Sequence, residues 1–192
     1  MTNDYLSSVK KQFLYYKILG EKAMAQIPEE KLSWQYNPES NSIITIVKHL
    51  SGNMLSRWTD FLTTDGEKDW RERDAEFEND LQSREELLAG WNKGWKCLFD
   101  AIGDLTAADL EKEIFIRNTG HSVMDAINRQ LAHYPYHIGQ IVLIAKMTCS
   151  HNWQSLSIPK GKSKDYNAVK FAEPTRTEPF TGEMANNKRD LK

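Results

Sequence analysis

Apolar residues recur at spacings of three and four in four separate stretches of the chain, the period of a helix that buries one face. The first stretch, about Asp4 to Ile27, carries the pattern on Leu6, Val9, Phe13 and Tyr16. Pro28 stops it, because the residue before a proline is pushed out of the α region. The second, about Asn41 to Leu62, carries it on Ile43, Ile46, Val47, Leu50, Met54, Trp58 and Phe61, with Ser40 or Asn41 as the cap. The third, about Arg84 to Ile102, opens with Ser83 and Glu86 in capping-box spacing and buries Leu87, Leu88, Trp91, Trp95, Leu98, Phe99 and Ile102. The fourth, about Val123 to Thr148, opens with Ser122 and Asp125 in the same spacing and buries Ile127, Leu131, Tyr134, Ile138, Ile141, Val142 and Ala145.

The connections add topology. Trp34 and Tyr36, between the first two helices, are expected to tuck under the helical body. The next link, TTDGEKDWRERDAEFENDLQ, is long enough to cross that body, so the second and third helices can run parallel. Its charged residues Arg71, Arg73, Asp74 and Glu76 read as solvated surface, or as the rim of a pocket or of a dimer interface. Thr106 to Leu110 reads as a short helical turn. Ile114 and Ile116 alternate with polar residues before Asn118-Thr119-Gly120, which predicts a small extended piece. The expected class is all-α, a four-helix bundle with a long crossover between helices two and three. Residues 1–168 form that domain, and 169–192 an extended C-terminal tail. After Ser150 the chain turns polar and carries three prolines, so it is expected to wrap on the surface or be disordered, with the last ten residues disordered.

Composition narrows the partners. The net charge is −2 over 192 residues, without a basic cluster, which argues against nucleic acid. The longest apolar run, Ile141 to Ala145, is far too short to span a bilayer. The N-terminal MTNDYLSSVKKQF has no apolar core of a signal peptide, so a cytoplasmic protein is expected. Cys97 and Cys149 show no CxxC spacing and no basic neighbour patterned to activate them, and are read as inert thiols.

Chemistry enters with the histidines. His133 and His137 stand four apart in HYPYH, on one face of the fourth helix, flanking the apolar stripe. Two imidazoles so placed can grip one ion, although HxxxH also arises by chance. His49 lies on the margin of the second helix's stripe. Histidines on two such margins can converge at one mouth, and three ligands leave a position open for water or substrate. Other metal chemistries are disfavoured. HYPYH lacks the glutamate of HExxH proteases, and no glutamate stands three residues before a histidine as di-iron bundles require. His121 and His151 read as solvated loop residues. Pro135, between the paired histidines, removes a backbone hydrogen bond and is expected to kink the helix.

Three segments carry a resemblance. SNSIITIVKHLSGNMLSRWTDFLTTDGEKDWRERDAEFE, INRQLAHYPYHIGQIVLIAKM and WQSLSIPKGKS, in that order, resemble DinB-like proteins, closest to a bacterial subgroup of unknown function. The resemblance spans roughly residues 3 to 168 and implies a four-helix bundle of unusual connectivity, often a homodimer. It also implies metal ligands at one histidine of helix two and an HxxxH pair of helix four, which fall on His49, His133 and His137. Pro135 departs from the small or aliphatic residue usual there.

Imidazole ligands suit zinc or nickel, with iron or copper as alternatives. Relatives of this kind include thiol S-transferases that use low-molecular-weight thiols such as bacillithiol, and mycothiol-dependent isomerases. The function implied is metal-dependent transfer of such a thiol to a small electrophile, with Asn53, Arg57 and Gln140 as candidate pocket residues. Arg57 could grip a carboxylate, or form a surface ion pair with Asp60. The alternatives are a metal-dependent hydrolase, for which the matched helices offer no obvious base, and a non-catalytic metal-stabilised binding or stress-response protein.

Overall fold

The computed structural model describes residues 2–81, 83–149, 152–178 and 181. Among these, the chain is mostly helical, with five α-helices and one two-stranded hairpin. The helices are α1 (Thr2–Met24), α2 (Ile43–Trp58), α3 (Arg84–Gly103), α4 (Val123–Thr148) and α5 (Ser163–Ala172). The strands are β1 (Glu113–Ile116) and β2 (Thr119–Ser122), directly before α4.

The caps explain where the helices start. Ser122 Oγ accepts from the Asp125 N–H and Ser83 Oγ from the Glu86 N–H, as the spacing predicts. On α2 the cap is Ser42 rather than Ser40 or Asn41, its Oγ accepting from Thr45 N–H at 3.1 Å. The same helix ends four residues earlier than its apolar pattern. Thr59 leaves the helical region, Asp60 takes a left-handed φ of 49°, and the Asp60 carbonyl accepts from the N–H groups of Thr63 and Thr64. Phe61 is buried by this turn instead of by helix, its ring centroid 5.2 Å from that of Trp58.

Side-chain contacts fix the helix directions. Ser51 Oγ donates to the Gly90 carbonyl at 2.7 Å, and further along both helices Thr59 Oγ1 meets Cys97 Sγ, so α2 and α3 run parallel. Glycine makes the pairing close: a methyl at Gly94 would lie 2.9 Å from the Ser51 Cα. Likewise α1 runs parallel to α4, from Tyr5 and Asn128 at one end to Phe13 and Tyr134 further along. α1 and α3 are antiparallel: Lys10 Nζ reaches the Gly103 carbonyl, and Arg84 donates to the carbonyls of Met24 and Ile27. The fully buried Phe13, Leu50, Leu87, Trp95, Leu98, Ile127, Tyr134, Ile138 and Ile141 fill the space between them. Burying side chains of this size contributes about 1.5–3 kcal/mol each, set against the entropy of ordering them.

The extended piece is a hairpin whose turn is Arg117-Asn118, at φ of 55° and 59°, with Ile116 paired to Thr119. Two successive left-handed residues match the twist of the strands. Gly120 lies in β2. Asp65 of the crossover accepts from the N–H groups of Arg117 and Asn118, both at 2.8 Å, and so ties the crossover to the hairpin.

One further expectation is corrected. Tyr36 is 73% exposed, because Gln35 and Asn37 fold residues 35–40 into a surface loop through bonds to Ser40; Trp34 is half-buried. The polar C-terminal segment contains α5, which buries none of its residues. Helix α4 runs without interruption through Pro135. The last ten residues, expected to be disordered, lie outside those described. No described helix is long and apolar enough to cross a membrane.

Candidate metal centre

Helices α2 and α4 meet at the histidines. His133 Nε2 lies 3.3 Å from His49 Nε2 and 3.1 Å from His137 Nε2, and ligand atoms of all three lie within 4.8 Å of one another. His49 and His137 are buried and His133 is half-buried. Ligand bonds of about 2.0–2.1 Å at tetrahedral angles put donor nitrogens roughly 3.3–3.4 Å apart, so the spacing suits one small divalent ion. The three histidines could hold a metal ion, and no fourth side chain joins them among the described residues.

Each imidazole is held from behind. His49 Nδ1 lies 2.9 Å from Glu76 Oε2, His133 Nδ1 3.1 Å from Gln130 Oε1, and His137 Nδ1 3.0 Å from Gln140 Oε1. An ionised carboxylate only accepts, so His49 carries its proton on Nδ1 and turns a lone pair inward from Nε2. The glutamine oxygens set the same tautomer at the other two rings. Three inward lone pairs at this distance repel unless a cation or proton lies between them. Ligating histidines are ordinarily braced by this kind of second hydrogen bond.

The electrostatics agree. Burial, reinforced by His137, His49, Arg57 and Arg129, lowers the His133 pKa to about 3. Burial and His49 also lower that of His137, against the opposing bond from Gln140. Burial thus favours the neutral form of His133 and His137, the form in which an imidazole ligates. Burial alone would raise the Glu76 carboxyl, but hydrogen bonds from His49 and Arg71 outweigh it and hold it below its ordinary value.

The structure corrects the solvated reading of the crossover at Arg71 and Glu76, whereas Arg73 and Asp74 are exposed. Arg71 and Glu76 are not solvated; their side chains are 3% and 8% exposed. Arg71 donates from Nε to Glu76 Oε1 at 2.7 Å and from Nη2 to Oε2 at 2.9 Å, a two-pronged grip. The turn Asp74–Phe77 brings the Phe77 ring to 5.3 Å from that of His49. Charge without periodicity hid this segment; the one hint is Phe77 set among acids.

The remaining candidates lie around the centre. Asn53 Oδ1 accepts from the Tyr134 hydroxyl at 3.1 Å, and that hydroxyl accepts from Trp58 Nε1 at 3.0 Å. Gln140 braces His137. Arg57 is buried and donates to the Gly66 carbonyl, with Glu67 at 3.6 Å, so its ion-pair partner is Glu67 rather than Asp60. Desolvation lowers its pKa. His121 sits in β2, half-buried, opposite Ile114, and His151 lies outside the described residues. Cys97 and Cys149 are free thiols, and neither belongs to the histidine cluster.

A family model described as "Protein of unknown function (DUF1572)" matches residues 1–162, which include all three histidines and Glu76. The chain belongs to this family. Neither a curated protein nor a solved structure matches it.

Proposed function

We propose that the chain is a DinB-like protein that holds one divalent metal ion on His49, His133 and His137 and transfers a low-molecular-weight thiol to a small electrophile. Its four long helices then form the bundle of those proteins, with the parallel pair α2 and α3 joined by the crossover. The observation that carries the reading is the convergence of three Nε2 atoms whose rings each have an oxygen acceptor behind Nδ1.

An ion held by His49, His133 and His137 would supply Lewis acidity and lower the pKa of a thiol ligand. The chain's own groups do the rest. Gln130 and Gln140 keep the rings of His133 and His137 oriented. Phe77, beside His49, and Tyr136, its ring 4.9 Å from that of His137, flank the histidines with apolar surface. Hydrolysis is the weaker reading, because it needs a free base, and both Glu76 oxygens are committed to Arg71 and His49.

The test substitutes cobalt as a visible probe and titrates a panel of small thiols. A sulfur-to-cobalt charge-transfer band, together with thiol consumption when an electrophile is added, is expected. A cobalt-loaded protein whose spectrum no thiol alters contradicts the transferase reading.

A further inference from the structure

We propose that Glu76 is a positioning residue for the metal centre, and that the crossover segment of residues 71–77 is built to hold its carboxylate against His49. This rests on the metal reading above and adds to it a residue outside the ligand set.

Three observations converge on that carboxylate. It accepts from His49 Nδ1 at 2.9 Å, on the ring edge opposite the convergent Nε2. It is itself fixed by Arg71, whose two nitrogens reach its two oxygens at 2.7 and 2.9 Å, and Arg71 is further set by Glu67 at 3.5 Å. It fits only because α2 has no side chain at Gly52, one turn beyond His49, where a methyl would overlap Glu76 Oε1. Glycine is a poor residue for a helix interior, and here the notch it leaves is filled by a carboxylate.

The arrangement has a direct consequence for metal affinity. A carboxylate behind a ligating imidazole fixes its tautomer and raises its basicity, and loss of such a partner ordinarily lowers metal affinity about 10–100-fold. The coupling is reciprocal: whatever Glu76 contributes to binding, bound metal returns as order in the crossover. Gln130 and Gln140, as neutral partners on α4, brace the other two rings without tying them to a separate segment.

The experiment measures zinc affinity by chelator competition on the full chain for wild type, Glu76→Gln and Gly52→Ala. Glu76→Gln removes the charge, whereas Gly52→Ala keeps every charged group and displaces the carboxylate. Both variants are expected to retain the same zinc stoichiometry as wild type, with affinity about 10–100-fold lower. Two local readouts separate positioning from general damage. In zinc-loaded protein the His49 Nδ1–H resonance should move upfield in Glu76→Gln while those of His133 and His137 stay. Zinc should also slow amide exchange across residues 71–77 in wild type but not in Gly52→Ala. Variants that bind zinc within twofold of wild type, with an unmoved His49 resonance, overturn the proposal and leave the metal reading intact. A wild type that binds no zinc overturns both.

Discussion

His49 Nε2 and His133 Nε2 face each other at 3.3 Å across the junction of α2 and α4, although 84 residues separate them in the chain. Neither can donate to the other once Glu76 and Gln130 hold the ring protons on Nδ1. The contact is therefore poised for a shared cation, and its energetic consequences can be measured.

Removing the metal should lower stability. A ligand that binds only the folded state stabilises it by about 2.7 kcal/mol when present at 100 times its dissociation constant. Dialysis against a chelator is expected to lower the thermal midpoint, and adding back zinc or nickel to restore it. His137→Ala should show no such metal-dependent shift.

The metal-free protein should lose stability in mild acid. The unfolded chain protonates His133 near its ordinary 6.5, whereas the folded chain resists until about 3 because burial disfavours the imidazolium. Between those values the unfolded state binds more protons, so stability falls as the pH falls through that window. His137 shifts in the same direction. Urea midpoints of chelator-treated wild type should drop from neutral pH to the middle of the window. His133→Ala should flatten part of that slope.

Much of this was legible in the chain. The bounds of α4, Val123–Thr148, match the apolar pattern because Ser122 supplies a cap and the stripe continues unbroken through Pro135. The parallel course of α2 and α3 follows from the length of the crossover. The HxxxH pair reads from spacing, but joining it to His49 needed either the resemblance or the packing of α2 on α4. Glu76 and Arg71 were hidden, because a buried ion pair in a non-periodic segment has the composition of a solvated loop. The end of α2 was hidden too: Phe61 stays buried beyond the left-handed turn at Asp60, so the apolar pattern runs on past the end of the helix.

Tyr134→Phe should destabilise the junction beside the centre. It removes the hydroxyl shared by Trp58 Nε1 and Asn53 Oδ1, leaving a buried donor and a buried acceptor unpaired, at a cost of about 1–3 kcal/mol. Chemical denaturation against wild type measures it; an unchanged midpoint would mean that water or a rearranged Asn53 replaces the hydroxyl.

Two glycines should respond with opposite signs. Gly94→Ala pushes a methyl against the Ser51 backbone and should destabilise the α2–α3 pair by about 1–3 kcal/mol. Gly139→Ala, exposed on α4 with nothing within 4 Å of the added methyl, should stabilise by up to about 1 kcal/mol through helix propensity. Thermal midpoints of the two variants read both effects.

The most direct test of the account is the metal content, by elemental analysis, of protein purified without an affinity tag, for wild type and for His133→Ala. Wild type is expected to carry about one equivalent of divalent metal, as one three-histidine site requires, and the variant to lose it. A metal-free wild type that takes up neither zinc nor nickel on titration would contradict it.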